Sequence, residues 1–261
     1  MKRPMKFNAI MLVVLMSLGI FIFCGNFVFA QKEVSAPQLF YKANEFFEKG
    51  QYSQAESAYK QIIDSGISSG NIYYNLGNVY FKQGRIGKAI VNYERAAKLL
   101  PQDSDVKANL EYACSLCNNP VVSERKNWVI GIVRNVSGYF TLDNWTRILS
   151  AIYILLLMVL SGFVVLKAPF FKKIAFFLAG GLFLTVWVWS VKFYDADIVK
   201  KAIVIKQETD SRFAPSKDAV VHFKTFEGAK IQVIDKNNSW FRVKTPDGKI
   251  GWVLQSDIEI I

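Results

Sequence analysis

Apolar residues in this chain gather into three long uncharged runs, and the spacing of apolar positions changes character between them. One run, Ile10–Phe23, lies near the N-terminus. Two more, Ile148–Leu166 and Ile174–Val191, follow one another across a short segment that holds Lys167, Lys172 and Lys173. As helices the latter pair reach about 27 to 29 Å, the thickness of a hydrocarbon core. The pattern predicts a transmembrane helix at 148–166, a cytoplasmic loop at 167–173 and a second transmembrane helix at 174–191. Short loops rich in Lys and Arg stay in the cytosol, so residues 31–147 and 192–261 are expected together on the opposite face.

The N-terminal run fits an export signal over 1–30. Lys2, Arg3 and Lys6 precede the apolar stretch, and Val28-Phe29-Ala30 supplies small residues at the positions that signal peptidase reads. An uncleaved anchor helix is the alternative. Lipidation at Cys24 is disfavoured by the bulky Phe23 before it.

Between the first two runs the apolar period is helical and repeats at 34 residues. Tyr73, Leu76, Gly77, Tyr80, Gly84, Ala89, Tyr93, Ala96 and Pro101 follow the pattern of a tetratricopeptide repeat, and Leu39, Ala43, Phe46, Gly50, Ala55, Tyr59 and Ile62 occupy corresponding places one period earlier. The small residues let paired helices approach, the aromatics fill the groove between them, and Gly50 and Gly84 end the first helix of each pair. This gives a domain over 31–117, with repeats 36–69 and 70–103 and a capping helix over 104–117 whose apolar face is Val106, Leu110 and Ala113. Leu39 and Lys42 depart from the usual aromatic and Leu of the first repeat. Two full repeats are few for a free-standing solenoid, so support is expected from the capping helix, the membrane hairpin or self-association. Such repeats present a concave face to a partner peptide or helix, unless they serve as a spacer. Asn71, Asn75, Asn78 and Lys82, at three-and-four spacing, are the candidate partner-binding stripe, because an amide both donates to and accepts from a peptide backbone.

Residues 118–147 read as a connector. Trp128, Val129, Ile132, Val133 and Val136 recur at helical spacing, which suits an interfacial helix, with Trp128, Tyr139 and Trp145 at headgroup level, or equally a helix packed on the repeats.

After the hairpin the grammar becomes that of strands, at Ala202–Ile205, Lys230–Ile234, Trp240–Lys244 and Ile250–Val253, with turns at Glu227-Gly228, Lys236-Asn237-Asn238 and Pro246-Asp247-Gly248. The run Gly248-Lys249-Ile250-Gly251-Trp252-Val253, with Trp240 before it, resembles the closing segment of a bacterial SH3-like domain spanning 198–261. Trp240 and Trp252 are expected as core and turn residues, and Gly251 at a place where a side chain would obstruct a neighbour.

Composition narrows the function classes. The chain has 261 residues and a formal net charge of +11, and the basic excess sits mostly around the apolar runs, where it sets topology and meets anionic lipid headgroups. It calls for no nucleic acid. Cys114 and Cys117 are the candidate disulfide pair. A thioredoxin-like site would put them at a helix start, whereas here they fall near a helix end, and two small buried side chains are the simpler reading. Zinc would need two more ligands, and the sole histidine, His222, lies in another domain. His222 has no adjacent nucleophile or acid pair and is expected as a satisfied barrel residue. No phosphate loop, metal set or catalytic residue is found, so neither enzymatic activity nor a cofactor is expected.

The whole order of signal, tetratricopeptide repeats, two membrane helices and SH3-like barrel resembles the BatE-like proteins of the Bacteroides aerotolerance (Bat) operon family. The resemblance implies a multidomain membrane protein: an all-α solenoid, a two-helix hairpin and an all-β barrel in the bacterial inner membrane, both soluble domains on the periplasmic side. It further implies a scaffold beside sister Bat membrane proteins with von Willebrand A-type domains, in a stress-tolerance complex. A peptidoglycan-binding module is the alternative, and a thiol-redox protein a third reading.

Overall fold

The computed structural model describes residues 36–117, 128–194 and 200–261. The expected signal at 1–30 and the first part of the connector lie outside the described residues. Five helices come first: α1 (Ala36–Glu48), α2 (Tyr52–Asp64), α3 (Gly70–Lys82), α4 (Ile86–Leu99) and α5 (Ser104–Ser115). The boundaries follow local chemistry. Gly50 and Gly84 take positive φ, +72° and +75°, and just beyond them the N–H of Gln51 reaches Phe46 O and that of Arg85 reaches Tyr80 O. These are the same left-handed helix ends one period apart. Asp103 opens α5, its carboxylate accepting from the N–H groups of Asp105 at 2.9 Å and Val106 at 3.0 Å.

The repeat's apolar positions become its core. Leu76, Gly77, Tyr80, Ala89, Tyr93 and Ala96 are buried, with Tyr73 and Pro101 half-buried. A β-carbon on Gly77 would stand 2.6 Å from the Tyr93 ring, so the helices meet there as closely as backbone allows. Val106 and Ala113 of α5 are buried, with Leu110 packed beside the core.

Three more helices follow: α6 (Trp128–Gly138), α7 (Leu142–Leu166) and α8 (Pro169–Phe193). The last two have 25 residues each and are long and apolar enough to cross a membrane. Their bounds differ from the sequence expectation. Polar Asp143, Asn144 and Arg147 are inside α7, and the link shrinks to Lys167 and Ala168, so Lys172 and Lys173 lie in α8 rather than in a loop. Lys167 makes the turn with φ +51°, and Pro169 starts the next helix, where its missing N–H costs nothing. Within this hairpin a β-carbon on Gly162 would stand 3.2 Å from the Phe171 ring. Trp145 is buried, and its indole N–H donates to Ser137 O at 3.1 Å. Lys192, near the end of α8, donates to the same carbonyl at 2.8 Å.

The C-terminal strands are β1 (Lys201–Val204), β2 (Glu208–Arg212), β3 (Val221–Phe226), β4 (Lys230–Asn237), β5 (Trp240–Lys244), β6 (Ile250–Leu254) and β7 (Ile258–Ile260). They form one antiparallel sheet in the order β3-β2-β6-β5-β4-β1-β7. The expected strand at 230–234 runs on to Asn237, and the turn tightens to Asn238 and Ser239, with φ +50° at Asn238. Trp240 is buried and Trp252 half-buried. A β-carbon on Gly251 would collide with Ser211 Oγ, as the strand reading requires. His222 is exposed on edge strand β3; it stacks on Phe213 at 4.2 Å, with Nδ1 3.1 Å from Ile250 O.

Support for the short solenoid comes from a source the sequence reading did not name. Along β1, Ala202 and Val204 face the sheet's own core while Ile203, between them, joins the helical core, with Ile205 and Ile261 packed beside it. Strand alternation lets one segment serve two cores. The contact is close on both sides. A β-carbon on Gly87 of α4 would stand 2.7 Å from Val204 O, and one on Gly228 would meet Cys117 Sγ. Polar clasps surround it: Glu227 accepts from Gly87 N–H at 2.7 Å, Arg95 donates to Glu259 at 2.8 Å and to Ile260 O at 2.7 Å, and Lys230 donates to Glu94 at 2.7 Å.

Candidate partner-binding groove

The repeat helices leave a groove of about 220 Å³ lined by Asn44, Phe47 and Glu48 from α1, Tyr59 from α2, and Asn75 and Asn78 from α3. Its walls are organised by a hydrogen-bond ladder with the period of the repeat. Asn44 Oδ1 accepts from Tyr59 OH and, at 3.0 Å, from Asn75 Nδ2. One period on, Asn78 Oδ1 accepts from Tyr93 OH at 2.7 Å and from Asn109 Nδ2 at 3.1 Å. Each rung thus joins one repeat's two helices to the first helix of the next unit. Asn109 also donates to Tyr74 OH at 2.9 Å.

This arrangement revises the expected stripe. Asn71 and Lys82 are exposed, but Asn75 and Asn78 are half-buried and engaged in the ladder. They lie at the groove wall and also hold the helices in register. Asn109, which the sequence reading missed, was signalled by the same 34-residue offset from Asn75. Because both lone-pair directions of the Asn44 and Asn78 carbonyls are taken, the two amide NH₂ groups point elsewhere; among the described residues they donate to no protein acceptor. Two such donors suit backbone carbonyls of an extended peptide. Burial pushes the Tyr59 hydroxyl up to about 12, the Asn75 hydrogen bond opposing it, so the phenol stays a neutral donor throughout the physiological range.

The chain's known likenesses fall on these two regions. Residues 70–103 match the tetratricopeptide repeat, and residues 212–259 match the bacterial SH3 domain. No curated protein matches the chain. The first match covers the second repeat, one side of the groove. The second runs from β2's last residue into β7. Both kinds of domain point to interaction with other proteins, and the second also to the cell wall.

Beside the repeats, Glu56 of α2 gathers four donors: Lys60 at 2.7 Å, Tyr80 OH at 3.1 Å, Gln83 at 3.2 Å and Arg85 at 2.9 Å. Desolvation alone would raise its pKa, but these hydrogen bonds and the Arg85 and Lys60 charges outweigh it and hold the carboxyl at about 2. The cluster ties repeat one to the turn of repeat two and is architectural.

The remaining sequence candidates are not brought together. Gly248, with φ +89°, shapes the β5–β6 turn. Trp240, Gly251 and Trp252 build the sheet. Cys114 and Cys117 carry free thiols, the first exposed and the second half-buried. Among the described residues no group of three or more His, Cys, Asp or Glu side chains is arranged to hold a metal ion.

Proposed function

We propose that the protein is a membrane-anchored, non-enzymatic scaffold that holds a partner protein near the bilayer through its repeat groove. The observation that carries this reading is the ladder: two period-related asparagine amides, each fixed by two donors to its carbonyl, leave their NH₂ groups for an incoming peptide. In this reading helices α7 and α8 span the bacterial inner membrane, residues 1–30 direct export, and the soluble domains lie on the periplasmic side. Support for a common side is physical. The helices before the hairpin and the strands after it share an apolar core, which no bilayer could separate. The likeness to the Bat family makes sister membrane proteins with von Willebrand A-type domains the first partners to try.

A second reading is favoured by the bacterial SH3 match: the barrel grips peptidoglycan and the repeats position it. A photo-crosslinking amino acid placed at Phe47 in the groove, and separately at Val220, 71% exposed on the barrel, distinguishes the two in intact cells. The scaffold reading expects discrete protein adducts from position 47. Wall material captured from position 220, with no protein adduct from 47, would replace it with the second reading.

A further inference from the structure

Cys114 and Cys117 sit where α5 ends against the barrel. The N–H of Cys117 donates to Cys114 O at 3.1 Å, a turn that keeps the two α-carbons within the span a disulfide bridges. The two sulfurs meet different surroundings. Cys114 is exposed. Cys117 is half-buried, its thiol 3.5 Å from Ala113 O, and its Sγ and Cβ occupy the space that a side chain at Gly228 would need. Gly228 in turn donates to Val204 O at 2.8 Å, next to Glu227, whose carboxylate clasps Gly87. The Cys117 sulfur is therefore part of the surface that joins barrel to repeats.

We propose that Cys114 and Cys117 form a reversible disulfide site whose oxidation is linked to release of the barrel from the repeat helices. Closing the bond draws the Cys117 sulfur toward exposed Cys114 and out of its contact with Gly228. The oxidant is a disulfide, either glutathione disulfide or an oxidoreductase. Cys114, as thiolate, attacks one of its sulfurs, forming a mixed disulfide and expelling one thiol. Cys117, losing its proton, then attacks the Cys114 sulfur and expels the second. Two protein thiols and one external disulfide become one protein disulfide and two external thiols, and the electrons balance.

The surroundings of the two sulfurs hold this chemistry back. Burial pushes the Cys117 thiol up to about 11. The Cys114 thiol is shifted upward too, by desolvation of its sulfur and by the Glu94 carboxylate, although the residue as a whole is exposed. Both stay protonated at neutral pH and exchange slowly. Because the Cys117 sulfur must leave the space beside Gly228 for the bond to close, a docked barrel disfavours the disulfide, and by the reciprocity of linkage the disulfide disfavours docking.

Full-length protein in detergent micelles, treated with glutathione disulfide or with dithiothreitol, tests this by alkylation mass and amide hydrogen exchange. Oxidation should remove two alkylation sites and raise exchange at Gly87 and across Ile258–Ile260 at least tenfold, and dithiothreitol should reverse both. Cys114→Ser should abolish the exchange response to oxidant. In the reciprocal arm, Glu227→Ala, which loosens the clasp, should speed disulfide closure several-fold. Thiols that remain free in excess oxidant, a disulfide that forms with exchange unchanged, or a closure rate indifferent to Glu227→Ala would each overturn the proposal.

Discussion

The Glu227 carboxylate accepts the backbone N–H of Gly87 at 2.7 Å, across a sequence separation of 140 residues. Helix α4 needs this help. Arg85 before it makes no side-chain cap, and its first turn contains no acidic residue, so its first N–H groups lack local acceptors. Glu227 supplies an acceptor and a negative charge at the positive end of the helix dipole. A helix before the apolar hairpin is thus finished by a turn after it.

Glu227→Ala should therefore weaken a helix that it does not belong to. Loss of a helix N-cap typically costs about 1 kcal/mol, and the change should appear as faster amide exchange at Gly87 with the barrel's strands intact. Glu227→Asp, one methylene shorter, should recover only part of the protection. Exchange at Gly87 that stays at the wild-type rate would mean that water satisfies this N–H equally well.

The Glu56 cluster makes stability depend on acid. The folded pKa of about 2 lies below the ordinary 4.5, so the folded state holds its proton more weakly than the unfolded chain does. The carboxylate's contribution is fully present above about pH 4.5 and fades as pH falls from there toward 2. After allowance for solvent screening it is on the order of 1 kcal/mol. Between pH 6 and pH 3 the wild-type protein should lose more thermal stability than Glu56→Gln, which keeps the shape but has no proton to gain. Parallel pH curves for the two would show that the cluster contributes nothing net.

What the sequence made legible follows from what each element buries. Helices α2 and α4 were readable because their apolar positions recur at three and four and Gly50 and Gly84 mark the turns before them. Strand β2, Glu208–Arg212, was not, because the side chains it buries are Thr209 and Ser211; hydrophobicity cannot flag a strand with a polar inner face. The stripe of Asn71, Asn75, Asn78 and Lys82 was found by helical spacing, but spacing says nothing of partners in other helices, so the fixed roles of Asn75 and Asn78 stayed hidden. The docking of repeats and barrel was least legible. It rests on Ile203, whose opposite facing from Ala202 and Val204 matters only once a second core lies on the other side. Two glycines, Gly87 and Gly228, admit that second core, and the sequence marked Gly228 only as part of a turn.

Packing at Gly77 allows a sharp contrast with a glycine that touches nothing. A methyl group at position 77 would stand 2.6 Å from two carbons of the Tyr93 ring, and that ring is itself held by its hydroxyl on Asn78 and by full burial. It cannot step aside without breaking a rung of the ladder. Gly77→Ala should accordingly cost about 1–3 kcal/mol, the usual penalty of overpacking. Gly131, inside α6, has nothing within 4 Å of the place its β-carbon would take, so Gly131→Ala should stabilise by about 0.5–1 kcal/mol through the helix preference alone. Thermal melts of the two variants beside the wild-type chain, in one detergent, should move in opposite directions. If Gly77→Ala also melts at or above the wild-type temperature, Tyr93 has room to move and the close approach of α3 and α4 is not what that glycine secures.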